Sequence, residues 1–254
     1  MVAETVSACH GLSANRLESL RRKKISIGLS TLNILAVETS GDYCSVALLR
    51  DGQIDDHEML AGQRQSGMLI DMVHVLLREC GVTLQQMDGI AYGAGPGSFT
   101  GLRVACGVVQ GLAMGVCKPV VGISTLLALA RLSDAARVVC CIDARMNEVY
   151  HAAYEKNDSG WQTVHEPGVY APYDVPPLPG GNWQACGNGF AVYGDKLREQ
   201  YAQQLMGVDD ASHPRAREVA ALSAPIFAAG GGLPADYAAP IYVRDKVALK
   251  TIER

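Results

Sequence analysis

The chain has 254 residues, of which 48% are hydrophobic and 19% charged, and its formal net charge is −4. This length is enough for two small lobes that each bury a core, and this composition is that of a folded α/β protein rather than a disordered chain. A negative net charge argues against an independent nucleic-acid-binding surface, which normally needs a basic face. We therefore expect any contact with RNA to belong to a partner protein.

Eight cysteines are scattered through apolar segments with no CxxC pair and no regular spacing. This pattern predicts reduced thiols and a cytoplasmic protein. The basic run RRKK at 21–24 lies too far inside the chain for a secretory signal, and the apolar stretch after it is too short. We expect residues 1–31 to be a flexible N-terminal extension whose basic run is solvated.

From residue 33 the hydrophobic pattern predicts the element order β-β-β-α-β-α. NILAVETS at 33–40 and YCSVALLRDG at 43–52 indicate two strands, and a third strand is predicted at 53–60. A helix at about 66–80 and a strand near 88–93 precede a glycine-rich turn and a second helix. This order is typical of a ribonuclease-H-like lobe.

A similar unit returns in the middle of the chain. RVVCCIDARMNEVYHAAYEK at 137–156 is again an apolar strand that ends in an acid, a turn and an alternating strand, so that Asp143 matches Glu38. The repeat predicts an N-terminal lobe over 32–125 and a C-terminal lobe over 126–254. Four further elements are predicted in the second lobe, namely a proline-rich loop at 171–181, a strand that meets a glycine turn in WQACGNGF, and helices at 190–205 and 214–229.

The stretch AYGAGPGSFTGLRVACGVVQGLAMG at 91–115 opens with a glycine turn before a helix. Backbone N–H groups at such a turn can bind an anion. A P-loop needs a lysine after its last glycine, but Gly97 is followed by Ser98 and Phe99; a dinucleotide fingerprint needs a third glycine where Ser98 stands. Both nucleotide motifs are excluded, so we interpret the turn chiefly as the start of the helix.

The helix after the turn carries a stripe of glycine. Gly107, Gly111 and Gly115 recur every four residues on one face, beside a polar edge that holds Arg103 and Gln110. Because each glycine inside a helix costs about 1 kcal/mol relative to alanine, the stripe indicates that another backbone approaches closely. That backbone belongs either to the sheet of this protein or to a helix across an interface.

The helix predicted at 66–80 has apolar residues over an arc about twice as wide as one buried face needs. Either both sides are buried within one domain, or one side meets a partner or a second copy of the chain. Charged residues interrupt both helices and argue against a membrane span. The residues predicted to form a partner or homodimer interface are Met68, Leu69, Met72, Val73, Leu76, Arg103, Gly107, Gly111 and Gly115.

The sequence shows no complete catalytic set. No two histidines have the spacing of a helical metal site, and no GxSxG nucleophile motif is present. Carboxylates such as Asp143 could hold hydrated Mg²⁺ in a cleft between lobes, although the interpretation as ordinary turn residues is favoured. The candidates for a weak nucleotide site are Glu38, Ser40, Gly95, Gly97, Ser98, Asp143, Gly187 and Gly189.

Four blocks in this order resemble the TsaB family, also called YeaZ, of tRNA threonylcarbamoyladenosine biosynthesis. They are ILAVETS at 34–40, YGAGPGSFTGLRVACGVVQGLA at 92–113, GISTLLALA at 122–130 and IDARMNEVY at 142–150, and PIYVRDKVA at 240–248 resembles the end of the family pattern. The resemblance implies an α/β, two-lobe actin-like or Hsp70-like fold with mixed sheets, built from duplicated ribonuclease-H-like units.

The resemblance also implies a non-catalytic scaffold or activating subunit that pairs with the catalytic subunit TsaD. TsaD binds metal through an HxxxH pair, and here Thr125 and Leu129 stand roughly at those positions. The family further implies that the ATPase TsaE joins the pair, that the first-lobe helices self-pair without TsaD, and that tRNA is reached only through the complex. No cofactor is expected for this chain itself, and ATP with Mg²⁺ is used by the complex.

The chain departs from the family pattern at one place, and its fold also suits a second class of function. Many members carry a histidine near the start of the first helix, where this chain reads RQSGM at 64–68, which leaves the role of that side chain open. The fold also suits an independent ATP-hydrolysing or kinase-like enzyme that uses Glu38 or Asp143 with Mg²⁺, and this alternative stays open.

Overall fold

The structure, a computed structural model, describes residues 32–61 and 65–244. It contains two five-stranded mixed sheets with helices packed on their faces. The predicted extension over 1–31 lies outside the described residues.

The first sheet has the strand order β3-β2-β1-β4-β5. Its first three strands are antiparallel neighbours, and β4 and β5 continue the sheet parallel to β1. Asp51 and Gly52, both at positive φ, form the two-residue turn between the second and third strands. The strands are β1 (Ile34–Glu38), β2 (Tyr43–Arg50), β3 (Gln53–Leu60), β4 (Gly89–Gly95) and β5 (Val120–Ser124).

The second sheet repeats this topology strand for strand in the order β10-β9-β6-β7-β8. Glu38 at the end of β1 and Asp143 near the end of β6 hold equivalent places, which confirms the predicted duplication. An edge strand at Gly160–Tyr170 was not predicted. The strands are β6 (Arg137–Arg145), β7 (Glu148–Asn157), β8 (Gly160–Tyr170), β9 (Trp183–Cys186) and β10 (Leu205–Asp209).

Six helices cover the sheets in the described part of the chain. The helices are α1 (Gln65–Glu79), α2 (Phe99–Val116), α3 (Thr125–Ala130), α4 (Gly189–Val192), α5 (Gly194–Tyr201) and α6 (Ala216–Ala228). Helices α1 and α2 pack on one face of the first sheet, and α4 and α5 pack on one face of the second. By length and composition α2 would suffice to cross a membrane, but Leu102, Ala105 and Val109 are buried in the first-lobe core.

Helix α6 departs from the expected division of the chain. It lies within 126–254, yet it packs on the free face of the first sheet, where Val219 and Ala220 join the core with Ile34. Leu233 then pairs with Val120 at the edge of that sheet. The chain therefore returns to the first lobe after β10, because the second face of the first sheet is apolar and needs a cover.

Candidate functional site

The glycine stripe of α2 is open to solvent. Gly107, Gly111 and Gly115 are exposed, and a Cβ atom added at any of them would meet no atom within 4 Å beyond the neighbouring backbone of the helix itself. No described part of this protein approaches the stripe, so its own sheet does not account for the glycines. The stripe is a smooth surface on the outside of the first lobe.

Four of the five α1 residues that were predicted to form an interface are buried in the free protein. Leu69, Met72, Val73 and Leu76 are at most 7% exposed and belong to the first-lobe core. Most of the apolar arc is thus covered within the lobe, and these four side chains contribute little exposed area to an interface. Met68, the fifth predicted residue of α1, is partly buried against the same core.

Two exposed apolar residues on α1 and α2 were not among the predicted interface residues. Met114 is 63% exposed on α2, and Ile70 is 42% exposed on α1, which contacts α2. Arg103 lies on the polar edge, with its guanidinium carbon 3.8 Å from the centre of the Phe99 ring. We call Arg103, Gly107, Gly111, Met114 and Gly115 the α2 face.

The glycine turn before α2 serves backbone contacts. A Cβ atom at Gly97 would lie 2.6 Å from the carbonyl oxygen of Ser40, and the backbone N–H of Ser98 donates to that same oxygen at 2.7 Å. The Ser98 hydroxyl caps α2 by accepting from the backbone N–H of Gly101 at 3.4 Å. One N–H that an anion would need is therefore already used. Gly95 has φ +113°, and its missing side chain leaves room for the carbonyl oxygen of Ile241.

Glu38 is buried beneath this turn. Its Oε1 accepts from the backbone N–H of Ser40 at 2.5 Å, while its Oε2 has no hydrogen-bond partner in the described part of the chain. The carboxyl group lies where a side chain on Gly93 would be. Burial raises the pKa of Glu38 above its ordinary value and so disfavours the charged form that a Mg²⁺ ligand needs.

The second-lobe residues of the predicted nucleotide site, Gly187, Gly189 and Asp143, also make contacts within the fold. A Cβ atom at Gly187 or Gly189 would lie within 3 Å of the carbonyl oxygen of Cys141, so both glycines allow a close approach to β6. Asp143 accepts from the backbone N–H and the guanidinium of Arg145 at 2.9 and 3.0 Å, and from the Tyr193 hydroxyl at 3.2 Å. Asp143 thus stabilises the turn after β6.

A cleft of about 540 Å³ lies between the two lobes. Of the predicted nucleotide set, Ser40, Gly97, Ser98 and Asp143 line it, whereas Glu38, Gly95, Gly187 and Gly189 do not. The C-terminal segment 241–244 lines the cleft as well, which sequence reasoning missed. The sequence indicates an extended segment here, but the residues near it in the chain do not determine which part of the fold it packs against.

Comparisons with known proteins identify the family. The family model of TsaD, tRNA N6-adenosine threonylcarbamoyltransferase, matches residues 59–249. The chain is 34% identical over 229 residues to the tRNA threonylcarbamoyladenosine biosynthesis protein TsaB of Escherichia coli, covering 87% of this chain and 98% of the relative. The chain belongs to the TsaB family.

Two further relatives agree with this membership. TsaB of Haemophilus influenzae is 34% identical over 237 residues, covering 88% of this chain and 98% of the relative. The solved structure of YeaZ from Pseudomonas aeruginosa is 36% identical and superimposes with a TM-score of 0.77, covering 84% of this chain and all of that one. The two-lobed actin-like fold is therefore that of a solved TsaB relative.

In this TsaB-family chain, α3 carries no metal-binding pair at the positions that the resemblance relates to the histidines of TsaD. The Oγ1 atom of Thr125 accepts from the backbone N–H of Gly95 at 3.1 Å, and Leu129 is fully buried against the second sheet. Within 32–61 and 65–244, no group of three or more His, Cys, Asp or Glu side chains is arranged to hold a metal ion.

Proposed function

We propose that this protein is a non-catalytic scaffold and activating subunit in the threonylcarbamoyladenosine modification of tRNA, and that its α2 face binds the catalytic subunit TsaD. The observation that carries the proposal is the open glycine stripe. Involvement in this modification is supported by the curated relatives, which are named as biosynthesis proteins of threonylcarbamoyladenosine.

The energetics of α2 favour a helix as the partner of this face. Three exposed glycines weaken the helix by about 1 kcal/mol each relative to alanine, and nothing in the described chain gains from their small size. A face without side chains lets a second helix approach more closely than the usual 8–10 Å between helix axes. Met114, which is 63% exposed between Gly111 and Gly115 on α2, supplies apolar area beside the stripe.

The positions of Glu38 and Asp143, the two carboxylates that could have held Mg²⁺, support a non-catalytic role. Glu38 is buried away from the cleft and Asp143 is engaged by Arg145, so neither is a free ligand for Mg²⁺. In this proposal the chain has no cofactor of its own, and ATP with Mg²⁺ is used by the complex. TsaE joins the complex, tRNA is reached through it, and a cytoplasmic homodimer forms through the same face when TsaD is absent.

The test is a titration of purified TsaD against Gly111→Leu. A leucine side chain at this position has room in the free protein, but it holds an approaching helix away from α2, so we expect the affinity to fall at least about ten-fold. The matched control is Ala191→Leu, which adds similar volume at an exposed position of α4 in the second lobe. Equal affinities of both variants and the wild type would reject the α2 face as the binding surface.

A further inference from the structure

Residues 238–244, which we call the strap, connect the two lobes across the cleft. On the first lobe, the Tyr92 hydroxyl donates to the carbonyl oxygen of Ala239 at 3.1 Å and accepts from its backbone N–H at 2.9 Å. The backbone N–H of Ile241 donates to the carbonyl oxygen of Ala94 at 2.7 Å. These hydrogen bonds to the backbone of Ala239 and Ile241 fix the path of the strap over the end of β4.

The far end of the strap is held by the second lobe. The guanidinium of Arg244 forms an ion pair with Glu148 at the start of β7, and it contacts the sulfur of Met146 at 3.6 Å. The Arg244 side chain is 14% exposed and the Glu148 side chain 37%, so water reaches the pair from the carboxylate side while the guanidinium is largely covered. The turn that receives it is strained, because Arg145, Met146 and Asn147 all have positive φ.

Helix α2 also holds the strap. Gln110 donates from its side-chain amide to the carbonyl oxygen of Ala238 at 3.0 Å, and Arg103 donates from Nε to the Tyr242 hydroxyl at 3.2 Å. The ring of Tyr242 lies 5.7 Å from that of Phe99. Arg103 thus belongs both to the α2 face and to the anchorage of the strap.

We propose that the strap is a conformational tie that docks and releases as one unit, so that the α2 face and the turn between β6 and β7 are energetically coupled. A partner that binds Arg103 on the α2 face competes with Tyr242 for the Arg103 guanidinium. Loss of the Arg103–Tyr242 hydrogen bond then favours release of the strap, which breaks the ion pair between Arg244 and Glu148 in the other lobe. The competition for Arg103 rests on the proposed function of the α2 face, whereas the coupling between the two ends of the strap is a property of the free protein and can fail or hold independently of it.

Amide hydrogen exchange of the free, full-length protein tests the tie. Glu148→Gln removes the charge that holds Arg244, and we expect exchange at the Ala239 and Ile241 amides, on the other lobe, to rise about ten-fold. The matched control is Glu155→Gln, also on β7, since Glu155 is paired with Arg137 and is exposed to a similar degree. Exchange at Leu35 in the core reports whether each variant stays folded.

Two further variants separate a tie from independent contacts. Tyr92→Phe removes the hydrogen bonds to Ala239, and it should raise the exchange rate of the Ile241 amide about as much as Glu148→Gln does. The double variant Arg244→Ala with Glu148→Gln should exchange no faster than Glu148→Gln alone, because both substitutions break the same ion pair. Exchange at Ala239 and Ile241 that is the same in Glu148→Gln as in Glu155→Gln would overturn the proposal.

Discussion

His151 is fully buried in the second lobe, and neither of its ring nitrogens has a hydrogen-bond partner in the described part of the chain. The rings of His165 and Tyr201 lie 5.6 and 6.4 Å away, centre to centre. Burial, with a smaller contribution from His165, lowers the pKa of His151 to about 3. Between about pH 3 and pH 6.5 the imidazole is therefore neutral in the folded protein, whereas an ordinary histidine would be protonated.

This burial predicts a loss of stability in acid. Because the folded pKa lies below the unfolded value of about 6.5, the unfolded state takes up the proton first, so stability present above pH 6.5 is lost as the pH falls toward 3. The free energy of unfolding of the wild type should fall by about 1.4 kcal/mol more per pH unit below pH 6 than that of His151→Phe.

Urea unfolding at several pH values between 7.5 and 4.5 measures this difference. His74→Phe, the same substitution at an exposed histidine of α1, serves as the matched control. Parallel curves for the wild type and His151→Phe would contradict the assignment of the acid sensitivity to His151.

Single residues show where sequence reasoning succeeds and where it stops. Glu38 and Asp143 could be matched because each ends an apolar strand before a turn, and both patterns are local. The contacts of Gly187 with Cys141 and of Gly97 with Ser40 join residues far apart in the chain. A glycine turn looks the same in the sequence whether its open side faces a ligand or another strand.

At the scale of the helix, α2 has one face fixed by the core and one face that the fold leaves free. Leu102, Ala105 and Val109 are buried, whereas the glycine stripe has no neighbour. The three glycines therefore lower the stability of the helix, and no contact in the described part of the chain compensates for that loss. In the proposed function, close packing against a helix of the partner compensates for it.

Gly111→Ala should consequently stabilise the free protein. A methyl group at this position meets no atom within 4 Å, so the free energy of unfolding should rise by about 0.5–1 kcal/mol. Gly97→Ala is the opposite case, because its Cβ atom would lie 2.6 Å from the carbonyl oxygen of Ser40. Chemical denaturation of both variants checks the pair, and a Gly111→Ala variant less stable than the wild type would show that the stripe has an internal role.

The periodicity of α1 explains why part of the interface prediction fell on buried residues. The pattern identified an arc too wide for one sheet face, and that arc is real. It could not tell what covers the arc, and the structure shows Leu69, Val73 and Leu76 inside the first-lobe core. The helical pattern of α2 already placed Met114 next to the glycine stripe, so this exposed residue could have been predicted.

At the scale of the whole molecule, the duplicated sheet could be predicted from its first two strands in each lobe, while the long-range connections could not. The edge strand β8 is only partly buried along its length, so its apolar pattern is weak. The return of α6 to the first sheet and the course of the strap are set by which apolar face still lacks a cover. Both are properties of the assembled fold.

The central claim is that the α2 face, and not a catalytic carboxylate of this chain, supports the modification of tRNA. The most direct measurement is a reconstituted threonylcarbamoylation assay with purified TsaD, TsaE, ATP with Mg²⁺, a threonylcarbamoyl donor and tRNA, to which the wild type, Gly111→Leu or Asp143→Asn is added. We predict that Gly111→Leu lowers product formation at least about ten-fold through lost binding, and that Asp143→Asn retains it. Loss of activity in Asp143→Asn with intact TsaD binding, together with full activity in Gly111→Leu, would contradict the account.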